Sequence, residues 1–387
     1  MIRVMSIFGT RPEAIKMAPV VHALKENPNC ESIVCVTAQH RDMLDQVMEL
    51  FEIEADEDLD LMLPGQNLLD LTARALQGLR KILSKHSPDV ILVHGDTTTS
   101  LCGSLAGFYS QIPVGHVEAG LRTGDLKAPF PEEGNRVLTD AISTFHFAPT
   151  TRGSDNIKKE NISDQHIYIT GNTVIDALLW MKNRLPNRPF KSVYASANFL
   201  FEEEHLDKKI ILITGHRRES FGDGFLRICT AIQQLAERNP DVHLVYPVHL
   251  NPNVQKPVYD LLSDFDNIHL IPPLDYEDFV RLMDRSHIIL TDSGGIQEEA
   301  PSLNKPTLVM REKTERPEGI AAGVVKLVGT STEGIFEHTQ NLIDDTDAYT
   351  NMQLAQNPYG DGTASQQIVQ ALVAHFTSEK PDSQLES

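Results

Sequence analysis

The sequence predicts an α/β protein of two doubly wound domains, each a parallel sheet covered by helices on both faces. Three observations predict it. Short, uniformly apolar runs alternate with longer segments of helical period, as strands buried on both faces alternate with their crossover helices. The alternation stops at the polar, proline-broken string NRLPNRPFKS (Asn183–Ser192) and then starts again. Residues of unusual chemistry gather just past the ends of the apolar runs, where open parallel sheets bind ligands. A chain of 387 residues has room for two or three domains of roughly 100–200 residues each.

Taken in order, the first domain is placed at residues 1–172. Its strands are expected at Arg3–Phe8, Ser32–Thr37, Val90–His94, Val114–Val117 and Phe145–Ala148, with helical patterns at Pro12–Lys25, Leu68–Ser84 and Thr98–Tyr109. The second domain is placed at 173–362. Its strands are expected at Ile210–Thr214, Val242–Pro247, Ile268–Ile271, Ile288–Thr291, Thr307–Met310 and Val324–Leu327. After the break NPYGDG (Asn357–Gly362), a last helix within 363–378 (Ser365–Phe376) is expected to cross back onto the first domain. The tail SEKPDSQLES reads as disordered. With the two domains opposed, their strand ends are expected to line a shared cleft.

Composition narrows the function. Hydrophobic content of 41% and charged content of 23% are those of an ordinary globular protein. There is no apolar run long enough for a membrane span, and MIRVMSIFGT leads straight into a strand pattern without a cleavage site, so a cytoplasmic location is expected. Cys30, Cys35, Cys102 and Cys229 sit in apolar segments without metal-ligand spacing and read as reduced core thiols. A net charge of −20 disfavours nucleic acid and anionic membranes. An anionic ligand then needs a local cluster of cations.

The strand ends carry such groups. In IILTDSGGIQEEA, a strand ends before Ser293, a candidate N-cap, and Gly294 and Gly295 let a ligand approach the backbone. The helix that opens there offers free N–H groups and a positive dipole end worth roughly 0.3–2 kcal/mol to an anion. Glu299 follows, where a carboxylate can accept ribose hydroxyls; the plain alternative is a capped αβ turn. FGTRPEAIKMAP puts Arg11 and Lys16 at a helix start, against the dipole, a placement that suits a bound anion or merely a solvated first turn. VHGDTTTS places Asp96 past a strand end, as a reactive acid or a cap. VGHVEAGLRTG places Glu118 at the end of a buried strand. APFPEEGNR opens a helix with Glu132 and Glu133, where Glu132 either reacts or pairs with Arg136 four residues on. LITGHRRES ends a strand at Gly215, His216, Arg217 and Arg218, PVHLNP adds His249, and MREKTERPEG supplies Arg311, Lys313 and Arg316. A histidine beside arginines suits phosphate handling or proton transfer, and arginine suits bidentate diphosphate contacts. Acids on the first domain and cations on the second fit a nucleotide-linked substrate.

These strings, with TAQHRDMLDQV and TGNTVIDAL, closely resemble the non-hydrolysing UDP-N-acetylglucosamine 2-epimerases, in family order from about residue 3 to 320. The resemblance implies a GT-B-like pair of Rossmann-like domains and interconversion of UDP-GlcNAc and UDP-ManNAc for cell-surface polysaccharide precursors. It also implies homodimers and no tightly bound cofactor or metal. It puts catalysis on Asp96, Glu118, Glu132 and His216. Nucleotide contacts fall on Arg11, Lys16, His216, Ser293, Gly294, Gly295, Glu299 and Arg316, with Phe279 beside the uracil. Some relatives bind a second UDP-GlcNAc as activator, and the matching positions are Gln39, Glu132, Arg217 and His249. The chain departs from related sequences at Leu274, Asp42 and Gly65, where they carry Gln, Gln and Arg.

The chemistry explains the inventory. The hydrogen on C2 has no adjacent carbonyl, so its removal must accompany departure of UDP from C1, giving 2-acetamidoglucal; UDP then re-adds while a proton arrives on the other face. Cations for the leaving diphosphate and carboxylates for the proton are what this needs. Three other readings stay open: a hydrolysing epimerase, a GT-B glycosyltransferase, and a non-catalytic UDP-sugar sensor.

Overall fold

The computed structural model describes residues 1–38, 41–62, 65–187 and 207–378. Gln39, the linker string from residue 188 on and the polar tail from 379 on lie outside these residues. The chain divides into two compact units, Met1–Ala177 rejoined from Tyr359 onward, and Leu178–Pro358.

Among the described residues, the first unit is built on a seven-stranded sheet in the order β3-β2-β1-β4-β5-β6-β7. Every neighbouring pair is parallel. The strands are β1 (Ile2–Phe8), β2 (Cys30–Val36), β3 (Glu57–Asp58), β4 (Val90–His94), β5 (Val114–Val117), β6 (Phe145–Ala148) and β7 (Ile167–Ile169). The helices are α1 (Arg11–Glu26), α2 (Arg41–Leu50), α3 (Leu68–His86), α4 (Thr98–Tyr109), α5 (Glu132–Ile142) and α6 (Thr151–Lys159), and α7 (Thr173–Arg184) begins in this unit, which ends at Ala177. The central strands are apolar throughout because helices cover both faces: every residue of VILVH in β4 is buried. The strand order reverses between β1 and β4, which opens a crevice at their carboxyl ends. The edge strands β3 and β7 carry no such run, being two and three residues long and partly exposed, and sequence pattern does not mark them.

The C-terminal helix Ala364–Ser378 packs on α1. Its start is held by Asp176 of α7, which accepts hydrogen bonds from Ala364 N at 3.2 Å and from Ser365 N and Oγ at 2.7 and 2.6 Å. These are the orphan donors that any helix start must satisfy.

The second unit has a six-stranded parallel sheet among the described residues, in the order β10-β9-β8-β11-β12-β13. Its strands are β8 (Lys209–Thr214), β9 (Val242–Pro247), β10 (Ile268–Ile271), β11 (Ile288–Thr291), β12 (Thr307–Val309) and β13 (Val325–Leu327). Ile211, Ile213, Phe225, Leu244, Tyr246 and Leu290 form the heart of its core. All four cysteines are free and buried, and burial pushes the Cys35 and Cys229 thiols up to about 12. Among the described residues, no helix is long and apolar enough to cross a membrane.

Candidate active site

In the first unit, the loops after β1, β4 and β5 bring the expected acids together. Glu118 follows β5 directly, with φ at 66°. A non-glycine residue in the left-handed region costs of order 1–3 kcal/mol and marks a backbone held for a purpose. The Glu118 carboxylate takes Nζ of Lys16 and accepts from Asn172 Nδ2 at 2.9 Å. His94 Nε2 stands 3.8 Å from the same oxygen. Burial pushes the His94 imidazole down to about 3, so it is neutral there. A Cβ placed on Gly95 would lie 3.8 Å from Glu118 Oε1, so this carboxylate rests against the loop that carries Asp96.

Asp96 accepts from Arg136 NH2 at 2.7 Å, and Asn135 Nδ2 holds its backbone carbonyl at 2.9 Å. Burial raises the Asp96 carboxyl above its ordinary range, Arg136 and Lys16 oppose the rise, and Glu118 and Glu132 add to it. A carboxyl lifted toward neutrality is better matched to proton transfer. Of the two alternatives for Glu132, the pairing with Arg136 does not form: Arg136 serves Asp96 and lies 3.6 Å from Glu133, leaving the Glu132 carboxylate without a partner among the described residues. Lys16 does face an anion, and that anion is Glu118. Arg11 opens α1, half-buried, after the capping box of Thr10 and Glu13.

In the second unit, the loops after β8 and β12 bring cations to the glycine pair that follows β11. A Cβ placed on Gly294 would lie 3.6 Å from Arg316 Cζ and 3.7 Å from Arg217 NH2, so two guanidinium groups stand over the glycine pair. Arg217 Nε is buried without a hydrogen-bond partner among the described residues. Arg316 Nε pairs with Glu298. Buried Asp292 orders the preceding loop, its Oδ2 accepting from His216 N at 2.7 Å and Arg217 N at 2.8 Å. The His216 ring stacks on His249 with centroids 5.3 Å apart. Burial lowers the His216 imidazole, with Asp292 opposing and His249 adding. Ser293 occupies the N-cap position, but its side chain makes no capping bond, unlike the expectation; Thr291 Oγ1 accepts its N–H at 3.0 Å. Arg311 is not available to a ligand, being locked to Glu219 and bidentate to Glu315 at 2.8 and 3.0 Å. Glu299 accepts from Tyr276 Oη at 3.4 Å, and Phe279 sits half-buried one turn further along the same helix, Tyr276–Arg285.

A family model described as UDP-N-acetylglucosamine 2-epimerase matches residues 22–373. The chain belongs to the UDP-N-acetylglucosamine 2-epimerase family. A Yersinia pestis protein of that name is 57% identical over 373 residues, covering 96% of this chain and 99% of its own. The Escherichia coli K12 protein of that name is 56% identical over 370 residues, covering 96% of this chain and 98% of its own. The crystal structure of UDP-GlcNAc 2-epimerase from Neisseria meningitidis bound to UDP-GlcNAc is similar with a TM-score of 0.86 at 51% identity, over 96% of this chain and 100% of that one.

This epimerase-family enzyme thus has the GT-B-like fold class, two doubly wound parallel units. Lys16, Asp96, Glu118 and Glu132 stand together in one unit, with Arg11 opening the helix that carries Lys16, and His216, Arg217, His249, Ser293, Gly294, Gly295, Glu299 and Arg316 lie in the other. Glu13, His94, Asn172 and Asp292 also belong to these sites and carry no signal in the sequence. Each lies inside a quoted motif, but a buried polar partner has no spacing signature of its own.

Proposed function

We propose that this enzyme interconverts UDP-GlcNAc and UDP-ManNAc by elimination and re-addition of UDP through 2-acetamidoglucal, supplying polysaccharide precursors. The observation that carries the reading, within this family, is the pair of carboxylates Asp96 and Glu118 on adjacent strand ends, one with a raised pKa and the other on a left-handed backbone. In the forward step a carboxylate takes the proton from C2. The C–H electron pair becomes the C1–C2 double bond, and the C1–O pair leaves with UDP. Asp96 and Glu118 are assigned to C2, with Glu132 and His216 assisting near the glycosidic oxygen. General acid–base groups of this kind contribute about 10²–10⁴-fold.

Arg217 and Arg316 over Gly294 are suited to the departing diphosphate, since preorganised donors act where charge develops. Arg11, Lys16 and Ser293–Gly295 complete the nucleotide set, Glu299 takes the ribose hydroxyls and Phe279 the uracil. A second UDP-GlcNAc is assigned as activator to Arg217, His249, Glu132 and Gln39. A homodimer is also proposed, since Phe108 and Tyr109 of α4 and Leu138 of α5, helices that pack together, are exposed.

Proton NMR of the full chain with UDP-GlcNAc in D₂O tests the reaction. Deuterium at C2 together with UDP-ManNAc is expected. Free UDP with free ManNAc would replace the reading by the hydrolysing one. Unchanged UDP-GlcNAc would end it.

A further inference from the structure

Behind the acid–base loops lies a buried pair that the proposed reaction does not use. His116 of β5 and Asp140 of α5 both have fully buried side chains, with Nδ1 of the ring 2.6 Å from Asp140 Oδ1. The other ring nitrogen, Nε2, donates to the Gly95 carbonyl at 2.7 Å, one residue before Asp96. The other carboxylate oxygen, Oδ2, accepts from Gly120 N at 3.1 Å, two residues after Glu118. We propose that His116 and Asp140 are positioning residues that together fix the backbone on either side of the two reactive carboxylates.

The backbone there needs holding. Gly95, Glu118 and Gly120 all lie in the left-handed region, with φ of 64°, 66° and 85°. Gly120 cannot accept a side chain, because a Cβ would fall 2.2 Å from the Gly153 carbonyl oxygen. Hydrogen bonds from two buried groups keep this unfavourable path as one conformation, and a reacting carboxylate displaced by an ångström loses most of its rate.

The hydrogen bonds also fix what each group of the pair can do. A carbonyl oxygen only accepts, so Nε2 carries a hydrogen. Burial by itself raises the Asp140 carboxyl, but His116 and Arg122 outweigh it and hold it down at about 2. The carboxylate therefore only accepts, from Gly120 N and from Arg122 NH2 at its Oδ2. The groups facing the pair complete the balance. Arg122 donates to Asp140 Oδ2 at 2.7 Å and to Glu160 at 2.7 and 2.8 Å, and His146 Nε2 contacts the Asp140 carbonyl at 2.8 Å. Burial lowers the His146 imidazole, and Arg122 is the cation that faces the Asp140 and Glu160 carboxylates.

This inference rests on the epimerase reading, and the experiment separates the two. If wild-type protein puts no deuterium into C2, the reaction reading fails, whatever the pair does. The pair itself is tested by kinetics of Asp140→Asn and His116→Gln in the full chain. The expected result is a kcat about 10²-fold lower with an unchanged KM for UDP-GlcNAc, since the nucleotide contacts are untouched. A folded variant, by circular dichroism, that keeps wild-type kcat overturns the proposal, as does a loss carried by KM alone. Should neither variant fold, ¹⁵N NMR of histidine-labelled wild type decides. A solvent-protected hydrogen on His116 Nε2 bonded to the Gly95 carbonyl supports the pair, and a ring hydrogen exchanging freely with solvent overturns it.

Discussion

The two sheets share the order third, second, first, fourth, fifth and sixth strand, so the same two loops meet at the same break in each unit. In both, a buried carboxylate takes two consecutive backbone N–H groups after the first strand. Glu13 accepts from Gly9 N and Thr10 N at 3.0 and 2.8 Å in one unit, and Asp292 accepts from His216 N and Arg217 N at 2.7 and 2.8 Å in the other. What the loops present is opposite. The first unit shows Asp96 and Glu118, which suit proton transfer. The second shows Arg217 and Arg316 over a glycine pair, which suit a diphosphate. Topology fixes where a loop stands, and the sign of its side chains fixes which part of a sugar nucleotide it can serve.

That contrast breaks most visibly on the acidic side. Asp96→Asn and Glu118→Gln are each expected to lower kcat by about 10²–10⁴-fold while leaving UDP affinity intact. Calorimetric titration of UDP alongside the rate assay checks both halves. A large loss of UDP affinity in either variant would merge the two roles. The converse change is smaller. Arg316→Ala and Arg217→Ala are each expected to weaken UDP binding roughly 10–100-fold, the worth of one charge-assisted hydrogen bond. UDP affinity unmoved by both would remove the diphosphate from this loop.

The sequence shows the motifs better than their support. Apolar runs located every central strand to within about two residues, since full burial demands them. Glu57–Asp58 and Ile167–Ile169 escaped because an edge strand needs no such run. At the site, Asp96 and Glu118 were legible because acids at strand ends are unusual. Helical spacing left Arg136 open as a partner of Glu132, and the fold instead brings Asp96 to it from another strand end. Arg311 looked like a phosphate ligand until Glu219 and Glu315 proved to occupy it. Local spacing carries local pairs, and partners 40 or 92 residues away need the fold.

The buried carboxylates sharpen the comparison through pH. Asp140 has a folded pKa held down at about 2, so its contribution to stability is present above its ordinary value of 3.8 and is lost as pH falls toward 2. That contribution is about 2 kcal/mol, read as a falling urea midpoint on the acid side. An acid limb without that slope would mean that the hydrogen bonds and charges around the Asp140 carboxylate contribute no net stability.

Glu13 has the opposite sign and the smallest expected effect. Burial raises its pKa above 4.5, with Thr97, Gly9, Thr10 and Ser100 opposing through hydrogen bonds. The native state therefore holds this proton more tightly than the unfolded chain. Stability from Glu13 is fully present below about pH 4.5 and is lost as pH rises through the folded value. Glu13→Gln keeps the shape and removes the charge. Its carbonyl oxygen can still accept from Gly9 and Thr10, and its amide can donate to the Thr97 and Ser100 hydroxyls, which accept as readily as they donate. Ser100 has one hydrogen, contested between the His94 carbonyl and Glu13, and the amide resolves that conflict. The variant is expected to match or exceed wild type by up to about 1 kcal/mol at pH 7 and to lose the advantage below pH 4.5. Urea melts at the two pH values measure this. A variant clearly less stable at pH 7 would mean that the charge itself, and not the hydrogen-bond geometry, holds the loop of Arg11 to the loop of Asp96.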